Sequence, residues 1–373
     1  WDSALVVTVN LNRRDTVLRR GTVIEKINGH YWKNIVDTMF EYVSTDGYNT
    51  TNKYQSLSNR GFFGTLYTSL YGISDRYEIG YRSFSGRSGT MTVPVYNAAL
   101  DTFNRMPGPS RNEPKPGKKE RRTQQLDFIR LLKIDTVNRT AMMNLATFGR
   151  GYGLHSFFKN SFRALKANGI SHLIIDVRSN GGGSVSNSTN ITRYISDHRF
   201  RVADSLYAER RSSRYGKYIA DNFWNRLFIF FFTKKKSDGK YHFGYFERHY
   251  FKPRKKNHFD GKVYILTGGN SFSATALFAS ALVKQENVFT VGEETGGGAY
   301  GNSAWLIPDV TLPETGVRFR LPLFRLVIEN DIRLKGKGIQ PEIPALPSVE
   351  AIHRNIDFKV EKAMELIRLD KEK

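Results

Sequence analysis

Three glycine-rich turns, each following an apolar run, hold the residues best suited to chemistry. They are Arg178-Ser179-Asn180-Gly181-Gly182-Gly183 after residues 173–177, Gly268-Gly269-Asn270-Ser271-Phe272-Ser273 after residues 263–267, and Gly292-Glu293-Glu294-Thr295-Gly296-Gly297-Gly298 after residues 288–291. In the second turn Ser273 is followed at once by Ala274-Thr275-Ala276, the start of a strong helix former. A serine there has its hydroxyl at the positive end of a helix, beside backbone N–H groups with no intrahelical partner. That place suits a nucleophile with an oxyanion hole. It suits an ordinary helix N-cap as well. Consecutive glycines expose backbone N–H groups and allow another chain to approach closely; the plainer reading is a flexible turn. A phosphate loop is excluded, because no Gly-Lys-Ser/Thr follows the first glycine at the required spacing.

The elements that position these turns alternate. Residues 173–177, 263–267 and 288–292 read as buried strands, residues 157–166 and 274–285 as helices, and residues 128–134 and 141–147 as further strands. Strand, glycine turn, helix and strand again is the signature of an α/β layer. Residues 350–370 read as one terminal amphipathic helix. The first hundred residues differ: strands at 5–9, 21–27, 77–81 and 90–95, a turn at Asn28-Gly29 and a helix near 35–43 make a small β-rich unit. Between them, residues 105–122 carry Pro107, Pro109, Pro114 and Pro116 among Lys and Arg, which reads as an exposed basic linker.

The chain has 373 residues, so two domains are expected. With 26 Phe and 19 Tyr it has ample core material. Cysteine is absent, which excludes disulfides, thiolate metal sites and a cysteine nucleophile. Lys plus Arg is 57 against 35 Asp plus Glu, a net +22 that suggests anionic neighbours. Residues 201–258 hold fifteen Lys/Arg and five Asp/Glu together with Phe223-Trp224 and the run Leu227-Phe228-Ile229-Phe230-Phe231-Phe232. This segment reads as an insertion on the core that could face an anionic surface. Nucleic acid is not the expected partner: the charge and the Phe/Tyr interleaving favour it, but no recognised nucleic-acid motif is present. No ligand cluster at metal spacing appears, so no metal and no organic cofactor is implied. Oligomeric state is left open.

Taken in order, these motifs resemble those of the C-terminal processing (tail-specific) serine peptidases. Residues 173–183 resemble that family's DLRxNxGG element, and Ser271-Phe272-Ser273-Ala274-Thr275-Ala276 looks like its SASASE turn with Ser273 at the nucleophile. Residues 291–296 resemble its VGEPTxG, and Gly338-Ile339-Gln340-Pro341-Glu342-Ile343 its GVxPDI close. Residues 21–29 look like the end of a PDZ carboxylate loop. The resemblance implies a PDZ-like domain with the remnant of an N-terminal cap at 1–104, a linker at 105–122, and an α/β peptidase core of the ClpP/crotonase-like kind at 123–373. It implies a protease acting on proteins or peptides, with Ser273 as nucleophile and an oxyanion hole from Gly182, Gly183 and Ala274. The substrate's terminal carboxylate is expected at Arg19, Arg20 and Gly21, with the peptide added as a strand.

One departure matters. The family's dyad lysine falls 25 residues after the serine, where this chain has Gly298. The chain therefore resembles the tricorn-like branch, which uses Ser-His-Glu with the histidine in an N-terminal cap. That histidine is expected upstream of Trp1, so the chain alone is expected to be inactive or very weak. His155, before a helix, is a weak rival base. Glu329 is the expected acid, with Asp331 as alternative. Export to the periplasm or cell envelope is expected from the family, and a non-catalytic peptide- or ligand-binding member of the fold is the rival function.

Overall fold

A computed structural model describes residues 3–12, 14–95, 97 and 117–372. The fold is mixed α/β. In the β-rich first part, Leu5–Val6, Val23–Ile27, His30–Tyr31, Arg76–Arg82 and Ser88–Pro94 form one antiparallel sheet. Asn28 and Gly29 close the tight hairpin between the second and third of these strands, both at positive φ (48° and 79°). That geometry is the reason an Asn-Gly pair turns a chain so sharply. Helices Trp32–Phe40, Thr51–Leu57 and Phe62–Tyr71 accompany the sheet, and Ile24, Ile27, Ile35, Val36, Met39 and Ile79 form its core.

The α/β core is a six-stranded sheet in the order Ile343–Pro344, Val288–Gly292, Lys262–Thr267, His172–Asp176, Thr140–Leu145, Arg130–Asp135, parallel except for the last pair. Both faces are covered, as a parallel sheet requires. Leu173, Ile175, Val263 and Ile265 point to one side, where Leu154–Ala167, Val185–Ile195 and Ala274–Ser280 contribute Phe158, Ile191 and Phe278 to the same cluster. Ile174, Tyr264 and Leu266 point to the other, against Ala363 and Ile367 of the helix Phe358–Lys371. The alternation along each strand follows the two-residue period of the pleat.

Several expected elements are corrected. Lys118–Ile129 is a helix, so 118–122 is not linker and the following strand starts at Arg130 rather than 128. The helix buries none of its residues, and its basic surface is what made it read as coil. The remainder of the expected linker, residues 105–116, lies outside the described residues. The helix after Ser273 stops at Ser280 instead of running to 285, and the terminal helix is two, Val349–His353 and Phe358–Lys371. Residues 201–258 are more than an insertion. Their strands Lys234–Lys235, Tyr241–His242 and Ser205–Ala208 join Phe324–Val327 and Gly301–Trp305 in a second five-stranded sheet. Leu206, Ile229, Phe324 and Leu326 of that layer share a cluster with Leu277, so the second sheet packs on the helix that follows Ser273.

Candidate active site

Strand Lys262–Thr267 lies in the interior of the core sheet, and its chain leaves through Gly268 to Phe272 before entering helix Ala274–Ser280. The turn is fastened by Ser271, fully buried, whose hydroxyl donates to the Val177 carbonyl (2.9 Å) and accepts from Gly268 N–H (3.3 Å). Ser273 carries the strain of the turn, with φ 52° and ψ −118°. A serine at positive φ costs on the order of 1–3 kcal/mol, a strain that persists only where the surroundings over-determine it. Its side chain makes no capping hydrogen bond, so it is not an ordinary N-cap. It is half-buried, and Ala274 N–H behind it has no acceptor within its helix.

The other two glycine runs close on this turn. A β-carbon on Gly182 would stand 2.7 Å from the Ser273 β-carbon and 3.0 Å from the Ala274 nitrogen. Gly182 has φ 101° and Gly183 φ 137°, conformations that side chains resist. Asn180, with no exposed surface, staples the loop: its Oδ1 accepts from Gly182 N–H (2.9 Å), its Nδ2 donates to Leu145 O (3.0 Å), and its carbonyl accepts from Phe272 N–H (3.1 Å). Gly182 N–H is therefore occupied, whereas Gly183 N–H has no protein acceptor among the described residues. From the third run, a β-carbon on Gly297 would stand 3.1 Å from the Ser273 nitrogen. Thr295 then ties that run to the fourth motif, exchanging bonds with the backbone of Ile339 (3.0 and 2.8 Å).

Two supports lay beyond sequence reasoning. Asn49 and Asn52, both buried, reach from the β-rich part to the core: Asn49 Nδ2 donates to Thr295 O and Asn52 Nδ2 to Gly269 O, each at 3.0 Å. Gln55 accepts from Asn270 N–H at 3.1 Å. Behind the turns, Arg178 bridges Asp176 (2.7 Å) and Asp357 (2.6 Å), and buried Lys359 holds Glu293 and the Thr267 carbonyl. Burial pulls the Lys359 ammonium below the ordinary lysine range, against the opposing pull of Glu293. Burial also opposes the Arg178 charge, but its two carboxylate partners outweigh it and raise that group.

Other expected site residues have partners of their own in the structure. Glu329 is half-buried, its carboxylate paired with Lys284 Nζ at 2.9 Å. None of the eight histidines hydrogen-bonds to Ser273. His155 meets Ser186 (3.3 Å), and His172, His198, His242 and His258 are paired with carboxylates. His30 packs on Tyr71 and His249 on Tyr245. His353 bonds the Arg20 carbonyl (3.0 Å) and fills the space at Gly21, where a β-carbon would come within 2.6 Å of it. The strand after that turn has no open edge at its start: Val23 pairs with both Val6 and Arg82, and Ile24 with both Leu5 and Tyr81. A peptide added along that stretch would find no free N–H and C=O row.

Comparison with known proteins points to one family. The model of peptidase family S41 matches residues 139–345, the stretch that carries all four motifs. Among solved structures, mature CPAF superposes with a TM-score of 0.60 at 14% identity, covering 98% of this chain and 79% of that one. Mature CPAF complexed with lactacystin gives 0.57 at 14% identity, covering 96% and 79%. A search of curated proteins gives no match. With the family model spanning more than half of the sequence, and the glycine turns it covers gathered around one strained serine, the chain belongs to peptidase family S41, a family of serine peptidases.

Proposed function

We propose that the chain is the Ser273-bearing part of a C-terminal processing endopeptidase that hydrolyses peptide bonds in proteins or peptides. The observation that carries this is the uncapped, positive-φ backbone of Ser273 with Gly182 packed against it. In this reading Ser273 Oγ attacks the scissile carbonyl carbon, and the oxygen that takes up the charge is held by Ala274 N–H and Gly183 N–H. Gly182 contributes space rather than a donor, because Asn180 uses its N–H. Each oxyanion donor is worth roughly 3–4 kcal/mol of transition-state stabilisation.

A serine hydroxyl needs a base within hydrogen-bond reach. Since none of the eight histidines hydrogen-bonds to Ser273, the proposed base is a histidine from a segment upstream of Trp1. Glu329 is the proposed acid that orients it, on leaving Lys284; Asp331 is the alternative. Residues 1–104 are proposed to act as a PDZ-like substrate domain. Binding of a substrate carboxylate at Arg19, Arg20 and Gly21 then requires displacement of His353, which makes the helix Val349–His353 a cover over that turn. Export to the cell envelope is proposed from the family resemblance.

A serine-directed fluorophosphonate tests the assignment. With the chain extended upstream, one adduct is expected, on the peptide containing Ser273, and none in Ser273→Ala. An adduct on another residue contradicts it. The lack of a hydrogen bond from any described histidine to Ser273 favours one second reading, a non-catalytic peptide binder, and that reading predicts peptide binding by the extended chain with no adduct.

A further inference from the structure

Helix Asn222–Phe232 is apolar nearly all round, yet only one side of it is buried. Asn225 and Ile229 face inward, and Phe228 packs on Phe243 and Phe324. On the outer side Phe223, Trp224, Phe230 and Phe231 are 68, 66, 58 and 68% exposed. At about 100° per residue these four, with Leu227 between them, fall within roughly a third of the helix circumference. An all-apolar helix is normally buried, and a contiguous exposed aromatic face marks an interaction site.

The surroundings say what covers it. Residues 210–236 contain eight Lys/Arg and a single acid, Asp221. Arg226 on the helix and Lys234 and Lys235 just after it are exposed, as are Arg210, Arg214 and Lys217. Arg211 ties this basic segment to the helix: its guanidinium lies 5.1 Å from the Phe230 ring centre and donates to the Thr233 carbonyl at 3.1 Å. A second copy of the chain would bring these cations against their own equivalents. A helix of eleven residues rises about 16 Å, half the hydrocarbon thickness of a bilayer, so it lies on a membrane rather than crossing it. Aromatic side chains beside lysines and arginines are the chemistry of the anionic lipid–water interface.

We propose that helix Asn222–Phe232 docks this protein on an anionic phospholipid surface, with Phe223, Trp224, Phe230 and Phe231 inserted at headgroup depth and Arg226, Lys234 and Lys235 on the headgroups. Co-sedimentation of the full chain with phosphatidylcholine vesicles, with and without phosphatidylserine, tests it. Binding is expected only with phosphatidylserine and is expected to weaken as salt rises. Lys234→Glu with Lys235→Glu should weaken it by at least about fivefold for each cation removed. Phe230→Ser with Phe231→Ser should weaken it more than about tenfold. Both pairs are exposed, so circular dichroism and melting should be unchanged, which separates lost docking from lost folding. Trp224 fluorescence should shift to the blue on vesicles, and Trp224→Phe should remove that shift. Equal binding to neutral vesicles would overturn the proposal. So would no vesicle binding together with either a dimer that Trp224→Glu dissociates or binding to single-stranded RNA.

Discussion

Gly182 and Ser273 are packed so closely that a β-carbon on the glycine would lie 2.7 Å from that of the serine. No side-chain rearrangement relieves this, because the Phe272 carbonyl and the Ala274 nitrogen lie within 3.0 Å of the same point. Gly182→Ala must therefore push the two turns apart, against a φ of 101° that alanine also resists. We expect peptide hydrolysis by the extended enzyme to fall about 100-fold or more, the cost of a displacement near 1 Å at a reacting centre. Steady-state kinetics alongside a melting curve check this. Unchanged kcat/KM would remove Gly182 from the site.

Ser273→Gly separates strain from capping. If the serine is held at positive φ for its chemistry, glycine relaxes the turn and stabilises the fold by up to about 1 kcal/mol while abolishing hydrolysis. If the serine is an N-cap, its loss stabilises nothing. Urea denaturation midpoints of the two proteins, at equal slope, decide between these outcomes.

Asn52→Ala leaves the buried Gly269 carbonyl without its donor and loosens the contact between the β-rich part and the turn before Ser273. The expected cost is about 1–3 kcal/mol of stability, with a fall in kcat larger than any change in KM. Asn49→Ala should behave alike through Thr295. Stability loss with kcat intact would make these contacts structural only.

What sequence could reveal follows from distance along the chain. The glycine runs and Ser273 were legible because a strand, a tight turn and a small-residue helix are local requirements written in adjacent residues. The α/β core was legible because its buried strands are continuous apolar runs. The Asn52–Gly269 bond spans 217 residues and leaves no local trace. The second sheet was missed because its strands come from 205–242 and 301–327, and only pairing in space unites them. The helix Lys118–Ile129 was hidden by its charge, and the Lys284–Glu329 pair joins residues 45 positions apart.

An acid-sensitive point lies in the second sheet. Glu247, buried, accepts from Leu206 N–H (2.9 Å), His242 Nδ1 (2.6 Å) and Lys236 Nζ (2.6 Å). Burial alone would raise its carboxyl, but these partners hold it below the ordinary value of 4.5. A depressed carboxylate stabilises the fold above its unfolded pKa, and that contribution is lost as pH falls through the lower folded value. Glu247→Gln should therefore cost about 3 kcal/mol at neutral pH, with the gap from the parent closing below about pH 4.5. Denaturation midpoints across roughly pH 3–7 measure it, and a gap independent of pH would contradict the account.

The central claim is that Ser273 is the nucleophile and that its base comes from a segment upstream of Trp1. The direct measurement is peptide turnover by three proteins: this chain, the chain extended upstream, and the extended chain carrying Ser273→Ala. The account predicts little or no turnover by the first, robust turnover by the second, and in the third only a residue of about 10³–10⁴-fold over water from the oxyanion hole and binding. Turnover by the extended chain that survives Ser273→Ala would contradict it.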